Sequence, residues 1–114
     1  MSAPEDVIGW DDFMRVHLCA GTVLRVEPFP EARKPAWKVW VDFGPHGVKK
    51  TSAQIRGLYA PEDLAGRQIV GVINFPPKQI GPFFSEFLLT GFPTDEGVVV
   101  TTIERPVPDG TRMA

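Results

Sequence analysis

Apolar and polar positions change their period along the chain, and those changes divide it into elements. Trp10, Phe13, Met14, His17 and Leu18 fall at helical spacing, with Asp11, Asp12 and Arg15 between them. That spacing predicts a short amphipathic helix. Its two aspartates suit the positive end of the helix dipole, and its aromatic stripe suits packing against a core or a partner. From Gly21 to Glu27 the period drops to two, with Thr22, Leu24 and Val26 on one side and Val23, Arg25 and Glu27 on the other. Phe29 to Pro35 is a loop bracketed by prolines. Trp37, Val39, Val41 and Phe43 then alternate with Lys38, Trp40 and Asp42. Gly44-Pro45-His46-Gly47 turns the chain, and Val48 to Ile55 returns as a third strand.

Pro61 to Ala65 suits one helical turn, with Pro61 at its first position and Gly66 beyond its end. Ile69 to Phe75 is almost continuously apolar and β-branched, as a central strand requires. Two prolines, Pro76 and Pro77, end it, because proline cannot donate to a sheet ladder. They stiffen a rim, Asn74 to Ile80, that carries an amide, an aromatic ring and a cation. Ser85-Glu86 follows it closely, and Phe87 to Thr90 and Val98 to Ile103 supply two more strands. Pro106-Val107-Pro108-Asp109-Gly110-Thr111 is turn chemistry. Five or six short strands with a helical turn before the fourth predict an all-β chain, a five-stranded barrel of the OB type. A small sandwich is the alternative that strand count leaves open.

Length and composition sharpen this picture in three respects. A chain of 114 residues has room for one core, placed here in residues 10–114 behind a flexible N-terminus over residues 1–9. Glycine (11) and proline (12) make up about a fifth of the chain, against a usual share of about 12%. That excess fits frequent turns and argues against a helix bundle. The one cysteine, Cys19, cannot form an intramolecular disulfide, which points to a reducing compartment. No apolar run approaches the roughly 18 to 20 residues of a membrane span, so no membrane insertion is expected. Met1 to Asp6 lacks the pattern of a signal peptide. The expected location is cytoplasmic.

The net charge of −2 conceals an asymmetry. Between Arg33 and Arg56 stand Lys34, Lys38, Lys49 and Lys50, and the single acid there is Asp42. An acidic protein with one basic stretch would address a polyanion through one face, although a solvated sheet surface has the same composition.

Catalysis finds little support. His17 and His46 fall in different elements and lack the Cys/His spacing of a zinc site. The acidic pairs Asp11-Asp12, Glu62-Asp63 and Asp95-Glu96 are sequence neighbours at helix starts or in loops, where acids serve capping and solubility. No phosphate-cradling glycine motif is present. Asp42-Phe43-Gly44 spells the metal-binding tripeptide of protein kinases without its companion motifs. No catalytic residue, metal or cofactor is expected. Binding is better supported: Ser52 and Gln54 end the basic strand, Asn74 and Phe75 open the rim, and Ser85 and Glu86 add a hydroxyl and an acceptor.

At these residues the chain resembles the CsaA group of the bacterial tRNA-binding-domain family. The matching pieces are Asp12-Phe13, Gly21-Thr22-Val23, Phe29-Pro30-Glu31-Ala32-Arg33 and Val41-Asp42-Phe43-Gly44. Thr51-Ser52-Ala53-Gln54-Ile55, Asn74-Phe75-Pro76-Pro77, Ser85-Glu86 and Pro106-Val107-Pro108-Asp109-Gly110 continue the series in the same order. The resemblance implies an OB-fold homodimer, with the N-terminal helix and C-terminal segment contributing to dimerisation. It also implies tRNA binding and a protein-export chaperone role, holding unfolded precursor polypeptides, with the secretion machinery as a further partner. Ser52, Gln54, Asn74, Lys78, Ser85 and Glu86 map onto the family's binding positions. Phosphate contacts are then expected from Lys49, Lys50 and Lys78, and stacking or apolar contact from Phe75 and Phe84.

The chain departs from the family pattern at Cys19, Gln79 and Phe84, where cations are usual, and at Phe87, where an aliphatic residue or methionine is common. Fewer cations mean fewer phosphate contacts. Phe83, Phe84 and Phe87 are expected to enlarge the apolar surface. Two other functions remain open at this point: a tRNA-binding cofactor of a synthetase without chaperone activity, and a protein-interaction module that has lost RNA binding.

Overall fold

Val39, Val41 and Phe43 are completely buried, as their alternation with polar neighbours requires. In the computed structural model, which describes residues 6–114, this alternation belongs to a bent sheet. Positions 1–5 of the expected flexible N-terminus lie outside the described residues. A short helix α1 (Trp10–Met14) precedes β1 (Leu18–Pro28), β2 (Trp37–Asp42) and β3 (Val48–Ala53). A helical turn α2 (Pro61–Leu64) leads into β4 (Gln68–Val72). Two short strands follow, β5 (Lys78–Ile80) and β6 (Phe83–Ser85), then β7 (Leu88–Leu89), β8 (Gly91–Thr94) and β9 (Gly97–Val100).

The main sheet has five strands in the order β3-β2-β1-β4-β7, and β3 meets the β6–β7 segment at the other end. This is a nearly closed OB-type barrel with its helical turn between the third and fourth strands. β1 serves both halves: Leu18 to Thr22 pair with β4, and Thr22 to Pro28 pair with β2. Inside lie Val23, Val39, Val41, Phe43, Ile69 and Phe87, and Leu64 of α2 plugs the core.

Three elements differ from the expected pattern, each for a physical reason. In β1 the register with β2 shifts between Val23 and Arg25. The bulge at Leu24 turns Val23 inward to 1% exposure and leaves Leu24 half exposed, so strict alternation assigned the wrong faces. Helix α1 stops at Met14 rather than reaching Leu18. Leu18 pairs with Val72 instead, and the side chain of Asn74 donates to the freed Arg15 carbonyl at 2.8 Å. The proline-stiffened rim is no simple loop, because Lys78 to Ile80 pair with Phe83 to Ser85 as a hairpin.

That hairpin is held by a second apolar cluster, on the outer side of β2. Phe29, Ala36 and Phe83 are its buried members, flanked by Trp40 and Ile80. The Phe29 and Phe83 rings lie 5.2 Å apart. Phe83 and Phe87 are therefore core residues, 6% and 4% exposed. The expectation that all three phenylalanines add apolar surface fails for these two and holds for Phe84.

The C-terminal turn closes the other side. Asp109 accepts from the Thr22 hydroxyl (2.7 Å) and the Gln68 amide (3.0 Å), while Gly110 donates to the Ala20 carbonyl. Gly110 has a positive φ of 89°, which favours glycine. The motif Pro106 to Gly110 is thus a latch on β1 and β4.

Candidate functional site

Where β3 runs past β6, the barrel leaves an opening. Ser52 and Gln54 of the β3 edge form one wall, Phe75, Pro76 and Lys78 the opposite wall, and Phe87 and Leu88 the floor. The depression measures about 440 Å3. A second depression of about 510 Å3 shares Ser52, Gln54, Lys78 and Ile80 with it and extends to Arg33 and Lys34 in the β1–β2 loop. The two form one groove, apolar at the Phe75–Leu88 end and predominantly cationic at the other, where Arg33 and Lys34 stand beside the single acid Glu31. It lies between the strand 2–3 region and the loops where OB barrels take extended ligands.

The sequence-predicted residues divide into two groups. Ser52, Gln54, Phe75, Lys78 and Ser85 all line the groove. Phe75 is 54% exposed, so its ring is free to stack. Asn74 and Glu86 each make hydrogen bonds to the framework. Asn74 accepts from the His17 N–H at 2.9 Å besides donating to Arg15. The Glu86 carboxylate accepts from the Lys50 N–H at 3.1 Å, and the Glu86 N–H donates to the Lys50 carbonyl at 2.7 Å. Phe84 pairs with Gln79 across the hairpin, and the period of two turns both away from Lys78 and Ser85. It is 47% exposed outside the groove.

The basic stretch does not form one face. Lys49 and Lys50 are opposite Val41 and Trp40 of β2, so adjacent parity sends them to opposite sides of the sheet. The Lys50 ammonium lies 5.2 Å from the Phe83 ring centroid, and Lys38 lies 4.9 Å from that of Phe29. Arg56 stacks over Trp37 at 4.4 Å. These cation–π contacts support the fold as well as carrying charge. The cations of the groove itself are Arg33, Lys34 and Lys78. Arg33 and Lys34 belong to the charge run read in the sequence, but nothing local singled them out. The Ala32 and Ala36 packing beneath them brings the loop to β5.

Carboxylates expected to cap do so: Asp12 accepts from Gly9 N–H and Asp63 from Ala60 N–H, both at 2.9 Å. Among the described residues no three His, Cys, Asp or Glu side chains gather as metal ligands. No helix among them is long and apolar enough to cross a membrane.

Barrel, loops and groove together define an OB-type binding domain. The family described as "Putative tRNA binding domain" matches residues 18–112, and the chain belongs to that family. Its fold is similar to that of the chaperone CsaA of Bacillus anthracis str. Ames, with a TM-score of 0.89 and 44% identity, covering 96% of this chain and 100% of that one. The CsaA chaperone protein of Picrophilus torridus matches at a TM-score of 0.89 and 38% identity, over 95% of this chain and 100% of that one. A methionine–tRNA ligase of Rhodopirellula baltica is 36% identical over 109 residues, which are 95% of this chain and 16% of the ligase. The chain thus spans about a sixth of the length of the methionine–tRNA ligases it matches.

Proposed function

We propose that this chain is a non-enzymatic, cytoplasmic homodimer of the CsaA type that binds tRNA and holds unfolded precursor polypeptides for export. The observation that carries this reading is the two-ended groove. Arg33, Lys34 and Lys78 offer phosphate contacts at one end, and Phe75, Phe87 and Leu88 offer an apolar seat at the other. Ser52, Gln54 and Ser85 supply hydrogen bonds between them, while Asn74 and Glu86 hold the walls in place. Lys49 and Lys50 add long-range attraction rather than groove contacts.

Dimerisation is supported by apolar surface around α1 that the barrel leaves uncovered. Ile8 and Trp10 are 67% and 63% exposed, and Met113 of the C-terminal segment is 42% exposed. Arg112 donates to the Met14 carbonyl, tying the C-terminal segment to α1. Sedimentation equilibrium at micromolar concentration should give twice the chain mass; a monomer mass would overturn the dimer.

Titration with tRNA at two salt concentrations, beside suppression of aggregation of an unfolded model protein, tests the two binding functions. Salt-sensitive tRNA binding together with suppression is the expected result. Binding without suppression would leave a tRNA-binding synthetase cofactor. A flat response in both assays would leave a protein-interaction module.

A further inference from the structure

β3 is the terminal strand of the five-stranded sheet, and its outer edge is covered for only part of its length. At Lys50 both main-chain groups are taken, the N–H by the Glu86 carboxylate and the carbonyl by the Glu86 N–H. At Ser52 the N–H is taken by the Ser85 hydroxyl at 3.0 Å. The Glu86 main chain and the Glu86 and Ser85 side chains thus stand where a neighbouring strand would pair. The cover ends there. Among the described residues the Ser52 carbonyl has only the Thr51 hydroxyl at 3.5 Å, and no hydrogen bond reaches the Gln54 main chain. In an antiparallel ladder alternate residues present both groups to the same side. Ser52 therefore turns its carbonyl toward the groove, and Gln54, the first residue past β3, lines the same groove.

We propose that the groove takes an extended polypeptide as an added strand on β3, paired through the main chain at the Ser52 carbonyl and at Gln54. This rests on the polypeptide-holding function proposed above and states how that site would hold its client. Strand addition draws affinity from main-chain hydrogen bonds and selectivity from alternate side chains. Here one apolar side chain of the client enters the seat formed by Phe75, Phe87 and Leu88. The client's far end, where Arg33 and Lys34 stand, carries a carboxylate. The carbonyls at Ser52 and Gln54 need donors, which an extended peptide supplies from every second N–H.

The test uses the whole chain and a fluorescein-labelled heptapeptide of alternating valine and serine ending in two aspartates, read by anisotropy. Each peptide nitrogen is methylated in turn. Methylation at two alternate positions is expected to weaken binding about tenfold, and at the positions between them less than about twofold, as loss of one main-chain hydrogen bond implies. Exchanging the aspartates for lysines should weaken binding as well. The variant Gln54→Pro, which lacks the N–H, should bind the unmodified peptide about tenfold more weakly. Should that variant unfold in a thermal melt, the methylation series on the natural chain still decides.

A uniform response to methylation would overturn strand addition and leave the polypeptide function standing. Equal affinity for the lysine-ended peptide would overturn the placement of the client's acidic end. No binding of the unmodified peptide would overturn both strand addition and polypeptide holding. In that case binding of oligouridylate would mark the groove as a nucleic-acid site.

Discussion

The Ser85 hydroxyl accepts the backbone N–H of Ser52 at 3.0 Å, and this bond joins the two between Glu86 and Lys50 in fastening the β5–β6 hairpin to the edge of β3. Ser85 is 8% exposed, so water has little access to replace it. Ser85→Ala should leave the Ser52 N–H without its partner and cost about 1–2 kcal/mol. Urea denaturation measures the cost, and hydrogen exchange at the Ser52 amide should quicken. A loss below about 0.3 kcal/mol would mean that the edge finds another acceptor.

Gly21 and Gly71 give Phe43 its place at the centre of the barrel. A Cβ added at Gly21 would meet the Val41 side chain at 2.5 Å and the Phe43 ring at 2.7 Å. One added at Gly71 would meet the Phe43 ring at 2.8 Å and Phe87 at 2.9 Å. The Phe43 and Phe87 rings, edge to face at 4.9 Å, occupy the space that two side chains would fill. Gly21→Ala is expected to destabilise by about 1–3 kcal/mol through overpacking. Adding Phe43→Leu should recover part of that, so the two changes together should cost less than their sum. Strict additivity in denaturation experiments would show that the clash is relieved elsewhere.

Elements whose pattern follows from their own neighbours were legible in the sequence. β2 alternates as written, and Pro61 and Gly66 bound the helical turn as expected. Elements decided by distant partners were not. The bulge at Leu24 depends on β1 serving two neighbours, and the end of α1 depends on an amide nearly 60 residues away, Asn74. The β5–β6 hairpin is too short to show a period, and it pairs because Phe83 packs on Phe29. β8, with Pro93 inside it, gave no strand signal of its own and pairs with β9.

The candidate site shows the same division. Ser52, Gln54, Phe75, Lys78 and Ser85 meet because they flank one opening. Phe84 misses it by one residue of strand parity. Asn74 and Glu86 have residue types suited to binding, and each also makes hydrogen bonds to the framework.

Cys19 is 1% exposed. Burial raises its pKa above the ordinary thiol value, and the nearby Arg112 charge only partly opposes that. The folded thiol therefore stays neutral where the unfolded one, titrating at about 8.5, has begun to ionise. The unfolded chain then binds fewer protons, so this group's contribution to stability is complete below that pH and declines above it. Urea unfolding at pH 7 and pH 10 should show a larger loss for the natural chain than for Cys19→Ala. Parallel losses would refute the link. Under native conditions Cys19 should also react with maleimide at least about a hundredfold more slowly than in urea.

The groove cations predict how tRNA binding should respond to salt. Each phosphate neutralised releases bound counterions, so log K falls with log salt by about 0.7–0.9 per contact. Lys78, Arg33 and Lys34 border the groove, whereas Lys38 and Lys50 lie over aromatic rings. Substituting alanine for all three groove cations should weaken tRNA binding and flatten the salt slope by about 2 to 3. Lys49→Ala, on the opposite side of β3 from Lys50, should lower affinity slightly and leave the slope within about 0.5 of the natural value. The opposite ranking would move the RNA interface from the groove to the other side of β3.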